Sequence, residues 1–200
     1  MKILGIVFLF FAATAYTQDL PSASLRKGTW DFGVQTGGGT GGVHRRSFGA
    51  QFWTAGLRIG ELCTAEHGQG WRRGNLECGM DIIPVFLVFE REAIYGGGSN
   101  LFLKWTFTRG KKLAPYYELG LGMLFTKSNL PSGDTSTLNF TAQTGPGIYI
   151  FTHEKRALAL GVEFLHISNA FLGNFNPGIN VVHFALEYHW FHRAARRDTP

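Results

Sequence analysis

The chain has 200 residues, 44% hydrophobic and 16% charged, which suits one domain with a packed core and leaves little room for a second. Its formal charge of +5 fits several kinds of anionic partner and selects none of them. No linker-like run divides the chain, no helical repeat recurs, and two cysteines are too few for a disulfide-dense scaffold.

The opening stretch "MKILGIVFLFFAATAYTQ" has one basic residue, an apolar run from Ile3 to Ala13, and small residues spaced for cleavage after Ala15 or Thr17. It is too short for a comfortable helical span and reads as a signal peptide over 1–17. Residues 18–28 then form an N-terminal periplasmic segment. From residue 29 onward one signal repeats: period-two alternation, broken by glycine-rich or charged turns. It predicts eight strands, at about 29–36, 50–61, 76–89, 99–108, 113–127, 136–151, 156–168 and 178–191, followed by a basic tail over 192–200.

Between the first two strands, "TGGGTGGVHRR" lacks the lysine and hydroxyl residue of a phosphate-binding loop and precedes no helix, so it reads as an outer loop. The second strand sets Trp53, Ala55, Leu57 and Ile59 against Thr54, Gly56 and Arg58. Cys63 and Cys78 flank the next connection and could bridge a hairpin base; without a CxxC or a Cys/His cluster, no metal site is expected. The third strand, "LECGMDIIPVFLVF", is ambiguous, because both parities become apolar after Asp81. "GGGSN" at 96–100 reads as a turn. The fourth strand then offers Leu101, Leu103, Trp105 and Phe107 against Asn100, Lys104 and Thr106, and the fifth, sixth and eighth alternate in the same way.

Eight alternating strands make either a soluble lipid-carrying barrel, apolar inside, or an outer-membrane barrel, apolar outside. The polar faces decide. A soluble exterior would be rich in Lys and Glu, whereas these faces carry Gly, Thr, Asn and Gln with scattered charges. Arg58, Lys104, Asp81, Glu118, Glu163 and Glu187 could pair inside a narrow barrel, with His183 and His189 in the same network. Trp30, Trp53, Trp105, Tyr117 and Trp190 resemble interfacial girdles. The expected fold is therefore all-β, an eight-stranded antiparallel transmembrane β-barrel over 29–191, in the bacterial outer membrane.

The connections "TRGKK" and "THEKR" are short and charged, which places them at the periplasmic side, so strand seven rises toward the outer surface. Its apolar parity runs Leu158, Leu160, Val162, Phe164 and continues as His166 and Ser168. A symmetric hairpin would set His166 opposite Asn180 and Ser168 opposite Gly178. Polar groups facing lipid cost free energy, so their convergence points to chemistry.

"FLHISNA" followed by "NPG" resembles the active-site segment of the lipid A 3-O-deacylases (the PagL family), eight-stranded outer-membrane enzymes with a His-x-Ser-Asn motif on the barrel exterior. The resemblance implies Ser168 as nucleophile, His166 as general base, and an oxyanion hole from the backbone N–H of Asn169 and the side chain of Asn176. The family's acid, which orients the histidine, matches Asn180, which holds no charge but can accept the imidazole N–H. The implied partner is lipid A, or lipopolysaccharide, in the outer leaflet; Arg45 and Arg46 could contact its phosphates. No cofactor, metal or nucleic acid is implied, and the sequence leaves a homodimer open. The reading from another class is a non-catalytic small outer-membrane barrel with a structural or adhesive role.

Overall fold

A computed structural model describes residues 24–41, 51–89, 92–110 and 112–193. The stretch 1–17 expected to be a signal peptide, Arg45, Arg46 and the last seven residues lie outside these segments. Eight antiparallel strands close into one barrel in chain order: β1 (Thr29–Gly41), β2 (Gln51–Leu62), β3 (Gly74–Phe89), β4 (Ala93–Phe107), β5 (Leu113–Leu130), β6 (Ser136–His153), β7 (Arg156–Ser168) and β8 (Ile179–Arg193). Each strand pairs with its neighbours, and β1 closes on β8, so no edge is left unpaired.

The alternation read from the sequence is the alternation of the barrel wall. Along β7, Ala157, Ala159, Glu163, Leu165 and Ile167 are buried, while Leu158, Leu160, Val162 and Phe164 are exposed. The exterior presents large apolar side chains from every strand, among them Trp30, Trp53, Leu101, Leu121, Phe164 and Phe184. The interior is charged at its middle. Charged inside and apolar outside is the arrangement of a transmembrane barrel.

At that middle level, Arg58 Nε donates to Asp81 at 2.7 Å and Arg58 Nη2 to Glu118 at 2.8 Å, with Glu187 3.2 Å from Nη1. Lys104 Nζ donates to the Tyr149 hydroxyl at 2.8 Å and lies 3.4 Å from Glu118. His189 bridges Asp31 at 2.8 Å and Glu187 at 3.0 Å, and His183 meets Glu163 at 3.0 Å. The ion pairing expected for Arg58, Asp81, Glu118 and Glu187 is thus present, and Asp31, Glu77 and Tyr149 extend it.

Above and below this layer the interior is apolar, a feature the sequence reading did not contain. Phe52, Phe86, Val88, Leu124, Leu165 and Val181 pack at the outer end. Leu25, Tyr149, Phe151 and Phe191 pack at the opposite end, where Leu25 inserts from the segment preceding β1. The outer cluster explains the ambiguity of β3. Its pairing shifts between Ile83 and Phe86, flanking Pro84, so the inward parity changes and Phe86 and Val88 turn inward where Asp81 had done so below.

Several boundaries differ from the sequence reading. β1 runs to Gly41 and β4 begins at Ala93, so Thr36–Gly41 and the "GGGSN" stretch are strand, not loop and turn. Local glycine content favours turns, but pairing on both sides wins here. A Cβ on Gly39 would lie 2.0 Å from the Val182 carbonyl oxygen, and one on Gly98 would lie 2.1 Å from that of Met123, so only glycine admits these approaches. The turn between β6 and β7 shrinks to Glu154 and Lys155, and β8 continues through His192 and Arg193. Cys63 and Cys78 are joined by a disulfide across the base of the β2–β3 hairpin.

Removing the Arg58 guanidinium would leave Asp81 enclosed without a cation, and Glu118 and Glu187 with only Lys104 and His189 beside them. Arg58→Leu is expected to cost about 3–5 kcal/mol of barrel stability. A fall in the urea midpoint of the folded barrel in detergent, followed by tryptophan fluorescence, measures it.

Candidate active site

β7 and β8 carry the polar residues that interrupt the apolar exterior. Because Leu165 and Ile167 are committed to the outer interior cluster, His166 and Ser168 stand on the opposite face of β7, each half-buried. His166 pairs with Asn180 across the β7–β8 ladder, as the symmetric hairpin requires. Asn180 is likewise outward, between buried Ile179 and Val181.

His166 Nδ1 and Asn180 Oδ1 are 2.7 Å apart. An amide oxygen only accepts, so Nδ1 carries a proton, and in the neutral ring that leaves the lone pair on Nε2. That tautomer is the one a general base needs. Ser168 lies two residues on along the same face, a Cα separation of about 6.6 Å for an extended strand. Its hydroxyl makes no hydrogen bond among the described residues, so the Ser–His contact is not closed in this conformation.

Beyond Ser168 the chain enters the loop 169–178. Here the Asn169 N–H donates to Asn176 Oδ1 at 3.2 Å, bringing the two residues expected at an oxyanion hole into direct contact. Asn169 also folds the loop, donating from Nδ2 to the Phe175 carbonyl at 2.9 Å and accepting from the Phe171 N–H at 3.0 Å. Ala170 and Phe171 are held at φ of 48° and 63°, a left-handed conformation that costs a residue with a side chain roughly 1–2 kcal/mol. Gly178, at φ 63°, closes the loop; a Cβ there would sit 3.1 Å from His166 Cε1, so this position keeps space for the ring.

The structure therefore brings His166, Asn180, Ser168, Asn169 and Asn176 to one end of the β7–β8 hairpin. It also contributes a part that the sequence reading missed. A groove of about 770 Å³ crosses the exterior from β3 to β7, within the range of ligand clefts. Ala142 and Thr144 are small residues at its floor, Leu101 and Leu121 lie to one side, and Phe164 and His166 to the other. The register explains its course, for Leu101, Leu121, Ala142, His166 and Asn180 form one transverse row across five strands. The signal existed in the sequence as a short outward residue, Ala142, in an otherwise bulky parity, but without register it pointed nowhere.

The chain matches the family model described as Lipid A 3-O-deacylase (PagL) over residues 29–189. Its barrel is similar to the crystal structure of the outer membrane enzyme PagL, with a TM-score of 0.60 at 20% identity, covering 79% of this chain and 98% of that one. It is also similar to Neisserial surface protein A (NspA), with a TM-score of 0.55 at 10% identity, covering 82% of this chain and 97% of that one. No curated protein matches the chain in sequence at a significant level. At such identities the structural likeness speaks for the fold, and the family match speaks for descent. Since that match runs from the first residue of β1 to within four residues of the end of β8, this chain belongs to the lipid A 3-O-deacylase (PagL) family.

Proposed function

We propose that this chain is a serine esterase of the bacterial outer membrane that removes an ester-linked acyl chain from lipid A, the 3-O-deacylation of lipopolysaccharide, at the outer leaflet. The observation that carries the reading is the 2.7 Å contact between His166 Nδ1 and Asn180 Oδ1, on the outward face beside Ser168. A structural barrel gains nothing from a tautomer-fixed imidazole at that place.

The substrate arrives by lateral diffusion, with an acyl chain along the groove over Ala142 and Thr144 and the ester carbonyl beside Ser168. Ser168 Oγ attacks that carbon while His166 Nε2 takes the hydroxyl proton. The developing oxyanion replaces Asn176 Oδ1 as acceptor of the Asn169 N–H, and a half-turn of the Asn176 amide presents Nδ2 to the same oxygen. The imidazolium then protonates the departing sugar oxygen, leaving an acyl-serine. Water, deprotonated by the same imidazole, attacks the acyl carbon and releases the fatty acid.

Asn180 performs half of an acid's work. It orients the ring and fixes the tautomer, but it carries no charge to stabilise the imidazolium. Asn180→Asp supplies that charge at the same register position and is expected to raise kcat by roughly tenfold, the equivalent of about 1.4 kcal/mol. Steady-state kinetics on lipopolysaccharide in mixed micelles would measure it, and an unchanged or lower kcat would remove the proposed role of Asn180.

The founding test is mass spectrometry of lipid A from cells expressing the wild-type chain or Ser168→Ala at equal outer-membrane levels. Loss of one hydroxyacyl mass in the wild type alone is expected. Identical, fully acylated lipid A from both would refute the deacylase reading and favour a barrel with a structural role.

A further inference from the structure

We propose that Asp134, in the outer loop joining β5 and β6, is a positioning residue that holds the oxyanion pair Asn169 and Asn176 of the neighbouring loop. The inference rests on the assignment of that pair and extends the site to a second hairpin.

The loop 169–178 is held from two sides. Ala170 and Phe171 are both left-handed without being glycine, and Phe171, Leu172 and Phe175 are exposed, so neither local preference nor burial in the barrel interior fixes the conformation. A conformation of this kind persists where its surroundings over-determine it. Asn169 supplies ties from within. Asp134 supplies ties from outside, at two adjacent residues.

The Asn174 amide Nδ2 donates to both carboxylate oxygens of Asp134, at 3.1 and 3.0 Å. The Phe175 N–H donates to the Asp134 carbonyl at 3.1 Å. Phe175 is the residue before Asn176, whose side chain accepts the Asn169 N–H. One residue before Asn174, the loops touch backbone to backbone: a Cβ on Gly173 would stand 2.5 Å from the Thr135 carbonyl oxygen, so the approach excludes any other residue. Gly173, Asn174 and Phe175 are thus docked on Asp134 and Thr135, and the docking ends one residue short of the oxyanion side chain. The carboxylate accepts a charge-assisted bond, the stronger kind, where an alanine would accept none.

Asp134 touches neither substrate nor reacting atoms, so its loss acts on the placement of donors and hence on kcat rather than on KM. The test uses the full-length folded barrel in detergent micelles with lipopolysaccharide as substrate, comparing Asp134→Ala, Asn174→Ala, the double variant and Asp134→Asn. The rate of fluorophosphonate labelling at Ser168, whose phosphonyl oxygen occupies the same hole, is followed in parallel. Heat-modifiable electrophoretic mobility verifies folding of each variant.

The expected result is a fall of roughly five- to tenfold in kcat and in labelling rate for either single variant, with KM within about twofold. The double variant falls no further than the singles, because both remove one contact. Asp134→Asn, whose amide oxygen can still accept from Asn174, keeps most of the activity. Values of kcat within about twofold of wild type in both alanine variants, or losses that multiply in the double, would overturn the proposal. Ser168→Ala, run alongside, separates the two levels. A silent Ser168→Ala beside an unimpaired Asp134→Ala removes the clamp alone; full turnover in Ser168→Ala removes the reading of the site, and the clamp with it.

Discussion

Arg58 sits where most of the barrel meets. Standing on β2, it binds Asp81 of β3, Glu118 of β5 and Glu187 of β8; through Glu118 and Glu187 the network reaches Lys104 on β4, Tyr149 on β6, and His189 and Asp31. A charge enclosed in a membrane barrel must find these partners, and it finds them only if each contributing strand points the right parity inward. A slip of one residue in any of them would turn a charge out into lipid and an apolar side chain into the network. Register and parity are therefore fixed at the axis, and the outer surface inherits them. His166 and Ser168 face outward because Glu163, Leu165 and Ile167, on the same strand, face in.

What was legible in the sequence follows from this constraint. Period two is the strongest pattern a strand writes, so the parity of β7 and β8, the interior charges and the His166–Asn180 pairing could be read without coordinates. The chain was opaque wherever local composition and tertiary pairing disagree. Glycines at 37–39 and 96–98 advertise turns, yet they lie in strands, where at all but Gly97 the neighbours leave no room for a side chain. β3 lost its alternation because the interior becomes apolar above Asp81 just as the strand bulges around Pro84. The contact between Asp134 and Asn174 spans 40 positions and joins two loops, where no periodicity exists to announce it.

In the proposed site, Asn180 in place of the acid that the family resemblance implies is less disruptive than the loss of a charge suggests. An asparagine that presented its NH₂ to the ring would force Nδ1 to accept and place the proton on Nε2, the wrong nitrogen for a base. Here the oxygen faces Nδ1, so orientation and tautomer survive and only the electrostatic share is lost.

The proposed site, on the outside of a barrel, also lacks what most active sites have, which is a wall on every side. Enclosed pockets hold their donors in place by packing, and a transition state gains from donors that need no rearrangement. On this surface β7 and β8 hold the imidazole from below, but the proposed oxyanion donors, Asn169 and Asn176, lie in a loop with strained backbone and exposed aromatic side chains. Rigidity has to come from the side, and the adjacent hairpin is the nearest rigid body. On the proposed reading, the exposed position that would let a lipid enter from the membrane plane is the same position that makes the β5–β6 loop part of the site.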